Sequence, residues 1–288
     1  MFFSCKQKYD TTGKVALITG AMGAIGQQLA KRLVAKNMRV VLADIQQKGK
    51  GDAYANELNN GYKEPVAVYI KTDLSRKEDI SLMFEQADRV FSQIDILINN
   101  AAIASPHTLY ESESYDNISS MLSVNLLAPI ETMRLFAEYI NNHKDKPKGV
   151  VVNVASMGGL VPNRGGEVYG AAKAAIIHLT KASKFLMPQI RVSAIAPYYV
   201  KSPMVLNNPK LQNNKTVYPQ LMLSIDQVCR TIERCIEDER GAGKVFATIG
   251  SWGYAHIRQF ELVWIQVALL SMWALFTASI RSVFSRSD

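Results

Sequence analysis

Ser156, Tyr169 and Lys173 are the side chains whose types and spacing can do chemistry together. Tyr169 and Lys173 lie four residues apart in the run Tyr-Gly-Ala-Ala-Lys, and on a helix such residues share a face. Thirteen positions separate Ser156 from Tyr169. A free phenol, with a pKa near 10, is a poor base at neutral pH. A fixed ammonium about 4 Å away, at an effective dielectric of about 20, supplies roughly 4 kcal/mol, or about three pKa units. Lys173 is therefore expected to bring the Tyr169 pKa toward neutrality, where the phenol takes and returns a proton. A tyrosine and a lysine on any amphipathic helix share this spacing, so the pair gains meaning only from the elements that position it.

Those elements begin near the N-terminus. Val15-Ala16-Leu17-Ile18 has the continuous apolar character of a buried parallel strand. Thr19-Gly20-Ala21-Met22-Gly23-Ala24-Ile25-Gly26 follows, and then apolar positions at Leu29, Ala30, Leu33 and Val34 show helical spacing. Strand, glycine turn and helix form the context of a dinucleotide site, in which backbone approaches a pyrophosphate resting on the helix N-terminus. A second strand, Arg39 to Ala43, ends at Asp44, where an acidic residue can bind the adenosine ribose hydroxyls.

With these parts in order, residues 13–250 resemble the short-chain dehydrogenase/reductase family. Thr19-Gly20 to Ala24-Ile25-Gly26 is similar to the family's TGxxx(A/G)xG turn. Asp73-Leu74, after the strand Val66–Ile70, resembles the pair that touches the adenine. Asn99-Asn100-Ala101-Ala102, after the strand Ile94–Ile98, is similar to NNAG. Asn125 matches the helix asparagine of the catalytic tetrad, and Ser156, after the strand Gly149–Val154, matches its serine. Pro197-Tyr198-Tyr199-Val200-Lys201-Ser202-Pro203-Met204 resembles PGxxxTxM. Two departures stand out: Tyr198 replaces a glycine next to the expected nicotinamide, where a Cβ restricts the backbone and a ring could wall the pocket, and Ala102 replaces a glycine.

The resemblance implies a Rossmann-type doubly wound parallel sheet and an oxidoreductase with Asn125, Ser156, Tyr169 and Lys173 as its catalytic set. It implies cofactor contacts from Gly20, Met22, Gly23, Ile25, Gly26, Asp44, Ile45, Asp73, Leu74, Asn100, Ala101, Tyr169, Lys173, Pro197, Val200 and Ser202. Tyr169 is the general acid/base, and Ser156 steadies the developing charge on the reacting oxygen. Lys173 binds the nicotinamide ribose, and Asn125 holds a water that connects Lys173 to solvent. Asp44 selects NAD over NADP, because a ribose 2′-phosphate within about 4 Å would cost roughly 2–4 kcal/mol. A homodimer or homotetramer through the helices of Asn125 and Tyr169 is also implied, and Ala172, Ile176 and Leu179 permit it.

Composition agrees with a single α/β domain plus an extension: residues 1–12, a dinucleotide-binding and catalytic domain at 13–255, and an extension at 256–288. The 288 residues are 48% hydrophobic with a formal charge of +8. The lysines and arginines are scattered singly, so a solvated surface is expected and nucleic acid is not. Cys5, Cys229 and Cys235 are too few and dispersed for a disulfide framework or a zinc site, which points to a reducing, cytosolic setting. His107, His143, His178 and His256 lack ligand spacing, and no metal is expected.

Leu262 to Ile280 contains no formal charge over nineteen residues. As a helix it would be about 28 Å long, close to the roughly 30 Å hydrocarbon core of a bilayer. Eight residues follow it, the layout of a tail anchor on the endoplasmic reticulum or mitochondrial outer membrane, with the catalytic domain facing the cytosol. A helix packed on a partner subunit, in a soluble cytoplasmic protein, is the alternative. Met157, Leu160, Val161, Tyr198, Tyr199 and Met204 suggest an apolar pocket, and Val205 to Pro219 a lid. The substrate expected is a lipophilic secondary alcohol or ketone such as a retinoid, steroid, eicosanoid or fatty derivative. The rival readings are an NADH-dependent carbonyl reductase and a catalytically idle NAD-binding membrane protein.

Overall fold

The computed structural model describes residues 8–105, 109–110, 114–143, 148–162, 165–208, 217–250 and 254–256. Chain proximity divides it into two units, Met1–Ala255 and His256–Asp288, and the first is described here. Seven strands form one parallel sheet: β1 (Val15–Thr19), β2 (Arg39–Asp44), β3 (Ala67–Lys71), β4 (Ile96–Asn99), β5 (Gly149–Val154), β6 (Ile190–Pro197) and β7 (Val245–Thr248). Their order is β3-β2-β1-β4-β5-β6-β7, with a short strand β8 (Tyr254–His256) beyond β7. The windings diverge between β1 and β4, which is where ligands bind in such sheets.

Among the described residues, seven helices and one very short one lie between the strands. They are α1 (Ala24–Val34), α2 (Lys48–Asn59), α3 (Lys77–Phe91), α4 (Tyr115–Leu122), α5 (Ala128–Asn142), α6 (Glu167–Ala182), α7 (Pro203–Leu206) and α8 (Ile225–Glu237). The sheet is apolar on both faces because helices cover both. On one face Ala16, Ile18, Val40 and Leu42 pack against Leu29 and Leu33 of α1 and Val228 and Ile232 of α8. On the other, Val15, Leu17, Val41 and Leu97 meet Met83 and Phe84 of α3 and Phe136 of α5. Alternate residues of one strand thus feed two cores.

The expected strands at Val15–Ile18, Arg39–Ala43, Val66–Ile70, Ile94–Ile98 and Gly149–Val154 are present, the third and fourth shifted toward their C-terminal ends. Strands β6 and β7 were not among those read as strands, although β6 is buried throughout. Of the three positions expected to permit a subunit contact, Leu179 is partly buried, and Ala172 and Ile176 do not permit it. Both are almost wholly buried within this chain, and Ile176 packs with Ala155, Ala194 and Val245, so neither offers a free face. Among the described residues no helix is long and apolar enough to cross a membrane. The apolar segment 262–280 lies outside them.

Helix α8 is fastened by charge at both faces. Lys36, just past the end of α1, reaches Glu233 at 2.7 Å and Glu237 at 2.8 Å, and Arg32 of α1 pairs with Glu233 as well. Arg191 of β6, 5% exposed, donates to the carbonyls of Cys235 at 2.6 Å and Ile236 at 2.7 Å, which lie in the last turn of α8 and lack helical partners. Cys229 and Cys235 are free thiols buried in this core, and burial pushes both up to about 12. Arg191→Ala would leave two buried carbonyls without donors, and it is expected to lower stability by roughly 3 kcal/mol. Urea unfolding followed by far-UV circular dichroism measures this, with Arg191→Lys expected to fall between the two.

Candidate active site

Two sites of close backbone approach build the cleft at the C-terminal ends of the strands. Gly20, at φ +63°, lies so close to β4's continuation that a Cβ would sit 2.7 Å from the Ala101 Cα. At Gly26 a Cβ would lie 2.4 Å from the Gly20 carbonyl oxygen. The turn is pinned from β4: Asn100 Nδ2 donates to the carbonyls of Thr19 (2.9 Å) and Gly20 (3.0 Å), and the Asn100 and Ala101 amides donate to Thr19 Oγ1. Helix α1 starts at this turn with no side-chain cap and no acidic residue in its first turn. Its N–H groups and positive dipole end therefore face the cleft, as an anion requires.

Asp44 closes the turn from β2. Its Oδ2 accepts the Met22 amide at 2.9 Å and its Oδ1 accepts the Gln46 amide at 3.1 Å. Ile45 beside it is exposed. Asp73 uses Oδ1 to accept both the amide and the hydroxyl of Ser75, which hold its carboxyl below the usual range. Leu74 packs against the second core. Met22 and Ile25 are half-buried against the first core, and Gly23 is exposed.

The second close approach brings Ser156 to Tyr169. Met157–Gly159 forms a single tight turn after β5. A Cβ on Gly159 would meet the Lys173 carbonyl carbon at 2.6 Å, and one on Gly170 would meet the Gly158 carbonyl oxygen at 2.8 Å. With neither present, the turn lies directly on α6. Ser156 Oγ accepts the Gly158 amide at 3.1 Å, and a Cβ on Gly158 would touch both Ser156 Oγ and the Tyr169 ring. Gly159 and Gly170 were not singled out in the sequence, although paired small residues facing a helix are a readable sign of close packing.

The electrostatics correct the expected role of Lys173. Desolvation is the largest influence on Tyr169 and raises its pKa; the Ser156 hydrogen bond opposes it and the nearby Tyr199 adds to it. Lys173 Nζ donates to the Val154 carbonyl at 2.8 Å and lies 5.7 Å from the centre of the Tyr169 ring. Burial lowers the Lys173 pKa to about 8. The ammonium thus sits near the ring and is held by backbone, and the same desolvation disfavours the charged form of both groups.

Asn125 occupies a π-helical turn, Ser123–Leu127, between α4 and α5. Such bulges displace one residue from the helical register. Its side chain is committed to Ile103, accepting that amide at 2.9 Å and donating to that carbonyl at 2.7 Å. Its side chain therefore clamps the segment after β4. Behind it runs a buried polar chain that sequence reading missed. Thr132 donates to Asn99 at 2.8 Å, Asn99 to Asn153 at 2.9 Å, and Asn153 to Thr180 at 2.9 Å. Only the pairing of β4 with β5 brings Asn99 opposite Asn153.

Pro197 ends β6, and the following segment is held on both sides. Tyr198 donates its amide to Thr248 at 2.9 Å, and its hydroxyl accepts the Tyr218 amide at 3.2 Å. Among the described residues only Asn37 and Ser92 are non-glycines with positive φ, so Tyr198 fits its glycine-type position without left-handed backbone. Its ring packs on the first core and stands edge-on to Tyr199. Val200 bridges to Leu223, and Ser202 is buried at the start of α7. Of the expected apolar pocket residues, Val161 and Met204 are exposed and Leu160 packs on the core beside α6.

Residues 14–213 match the family model described as short chain dehydrogenase. The chain is 30% identical over 241 residues to the short chain dehydrogenase helC of Aspergillus fumigatus, covering 80% of this chain and 93% of that one. It is 35% identical over 201 residues to the 7alpha-hydroxysteroid dehydrogenase of Bacteroides fragilis, covering 68% and 74%. The crystal structure of 3-ketoacyl-(acyl-carrier-protein) reductase from Brucella melitensis complexed with NADH superposes with a TM-score of 0.73 at 26% identity, covering 83% of this chain and 98% of that one.

The lowered Lys173 pKa has a consequence for stability. The unfolded chain, with an ordinary lysine near 10.4, binds more protons than the folded chain between pH 8 and 10. Stability therefore rises with pH across that window and the penalty is fully present below it. The wild type is expected to gain up to about 3 kcal/mol relative to Lys173→Met between pH 7 and 10.5. Chemical denaturation of both proteins at a series of pH values measures the difference.

Proposed function

The chain belongs to the short-chain dehydrogenase/reductase family, and on that premise we propose that it is an NAD-dependent oxidoreductase of lipophilic secondary alcohols and ketones. The observation that carries the reading is the approach of Ser156 to the Tyr169 ring across the turn Met157–Gly159, with Lys173 Nζ 5.7 Å from the centre of that ring. The turn at Gly20 and Gly26, packed backbone to backbone, and the uncapped start of α1 fit a dinucleotide, because no side chain occupies the first N–H groups of the helix. Gly20, Met22, Gly23, Ile25 and Gly26 would hold the pyrophosphate. Asp44 and Ile45 would hold the adenosine ribose, and Asp73 and Leu74 the adenine. Asn100, Ala101, Pro197, Val200 and Ser202 would border the nicotinamide half. The bound nicotinamide supplies the hydride chemistry.

In oxidation, Tyr169 Oη takes the proton from the substrate hydroxyl, and in reduction it returns one. Ser156 Oγ donates to the same substrate oxygen and stabilises its developing charge. Lys173 Nζ binds the nicotinamide ribose. With its pKa near neutrality, it also passes on the proton that Tyr169 releases. The Asp44 carboxylate favours a ribose with free hydroxyls over a 2′-phosphate, which supports NAD and an oxidising direction. The NADH complex of the Brucella reductase and the hydroxysteroid named for the Bacteroides relative support the cofactor and substrate classes.

Two measurements test this. NADH formation across a panel of lipophilic secondary alcohols is expected to fall about a thousandfold in Tyr169→Phe, within the range that general acid/base catalysis contributes. NAD binding should persist in that variant. Equal affinity for NAD and NADP in the wild type would remove the cofactor assignment. We also read 262–280 as a membrane anchor, on its length and absence of charge. The full-length protein is expected to stay with membranes through alkaline carbonate washing, and release into the supernatant would refute the anchor.

A further inference from the structure

Asp44 carries the ribose assignment, and its carbonyl accepts the Thr72 amide at 2.8 Å where β2 pairs with β3. One side chain on β3 holds the turn that follows. Tyr69 of β3, 5% exposed, directs its hydroxyl at two carbonyls, Asp44 at 2.9 Å and Gln46 at 2.6 Å. The two oxygens flank Ile45 and converge on one phenolic hydrogen, so the turn from Asp44 to Gln46 is gathered around Tyr69. Resting on the reading of Asp44 as the ribose-binding carboxylate, we propose that Tyr69 is a positioning residue. It fixes this turn, and through it the Asp44 carboxylate, for the adenosine ribose of NAD.

Three further observations converge on it. The Gln46 amide that the Tyr69-bound turn presents is the donor to Asp44 Oδ1 at 3.1 Å, so turn geometry and carboxylate orientation are linked by one hydrogen bond. Burial, followed by the negative charge of Asp44, raises the Tyr69 pKa to about 12, so the hydroxyl remains a donor under ordinary conditions. Helix α2 makes room for the ring with a glycine: a Cβ on Gly51 would fall 2.3 Å from the ring atoms. Glycine inside a helix is normally unfavourable against alanine, and here its place is explained by a ring that must lie flat beneath α2.

Tyr69 touches no substrate atom, so its removal should act on cofactor affinity and selectivity and leave the chemical step alone. Tyr54 is a matched control: its hydroxyl also donates to a backbone carbonyl, that of Gln27 at 2.6 Å, away from Asp44. The test compares full-length wild type, Tyr69→Phe and Tyr54→Phe by calorimetric titration with NAD and with NADP, and by steady-state rates at saturating NAD. Tyr69→Phe is expected to weaken NAD binding about five- to tenfold, the loss of one hydrogen bond. It should narrow the preference for NAD over NADP, raise KM for NAD and leave kcat unchanged. Gly51→Ala, which displaces the ring from the opposite side, should shift affinity the same way. Unchanged NAD affinity in Tyr69→Phe overturns the proposal, and so does an equal loss in Tyr54→Phe, which would mark general loosening. A wild type that fails to bind NAD would overturn the function proposed above and this inference with it, an outcome distinct from either.

Discussion

The candidate site depends on one contact, that of the turn Met157–Gly159 with helix α6. Gly159 against Lys173 and Gly170 against Gly158 leave no room for a Cβ on either side. Helix and turn therefore meet backbone to backbone, closer than side chains usually allow. That proximity lets a serine at the end of β5 reach a phenol on α6. The Lys173 bond to the Val154 carbonyl fastens the same two elements one layer deeper, and the Asn153–Thr180 bond fastens them again farther along the helix. Three attachments along one helix fix both its distance from β5 and its register.

Such close packing has an electrostatic cost. Desolvation raises the pKa of Tyr169 and lowers that of Lys173, so each group is pushed toward its neutral form. A sequence argument built on Coulomb attraction alone foresees the opposite for the phenol. The reversal follows because burial removes water from both groups, while the ammonium is held by a carbonyl and lies over the ring. The Ser156 hydrogen bond is the influence that opposes burial at the phenol. In a site of this kind, serine does more than touch a substrate: it partly offsets the desolvation of its neighbour.

The dinucleotide half is organised differently, around backbone amides. Asn100 pins the glycine turn from β4, Asp44 pins it from β2, and α1 presents an uncapped N-terminus between them. The two halves share β4 and its continuation, since the segment after β4 is also clamped by Asn125 through Ile103. A displacement of this strand would disturb both. That coupling explains why polar residues accumulate at the C-terminal ends of strands that are otherwise apolar throughout.

Most of the fold was legible because it rests on local patterns: apolar runs for parallel strands, a glycine turn, an acidic strand end. The strands around β1, β2 and β5 needed only period, whereas Ser156 was joined to Tyr169 by the family resemblance and approaches it through the close contacts at Gly159 and Gly170. Strand β6 is as continuously buried as β1, but Arg191, Ser193 and Pro197 interrupt its apolar run, so neither it nor the four-residue β7 carries the pattern of a buried strand. The sequence by itself determined in what order the elements run and on which of them Ser156, Tyr169 and Lys173 fall. Tertiary structure alone decided that Ala172 and Ile176 face this chain's own core, that Asn125 is spent on Ile103, and that Asn99, Asn153 and Thr180 form one chain. It also decided the sign of the Tyr169 shift. These outcomes depend on what approaches from distant segments and on how much water is excluded, and neither quantity is encoded in the spacing of residues along a strand or a helix.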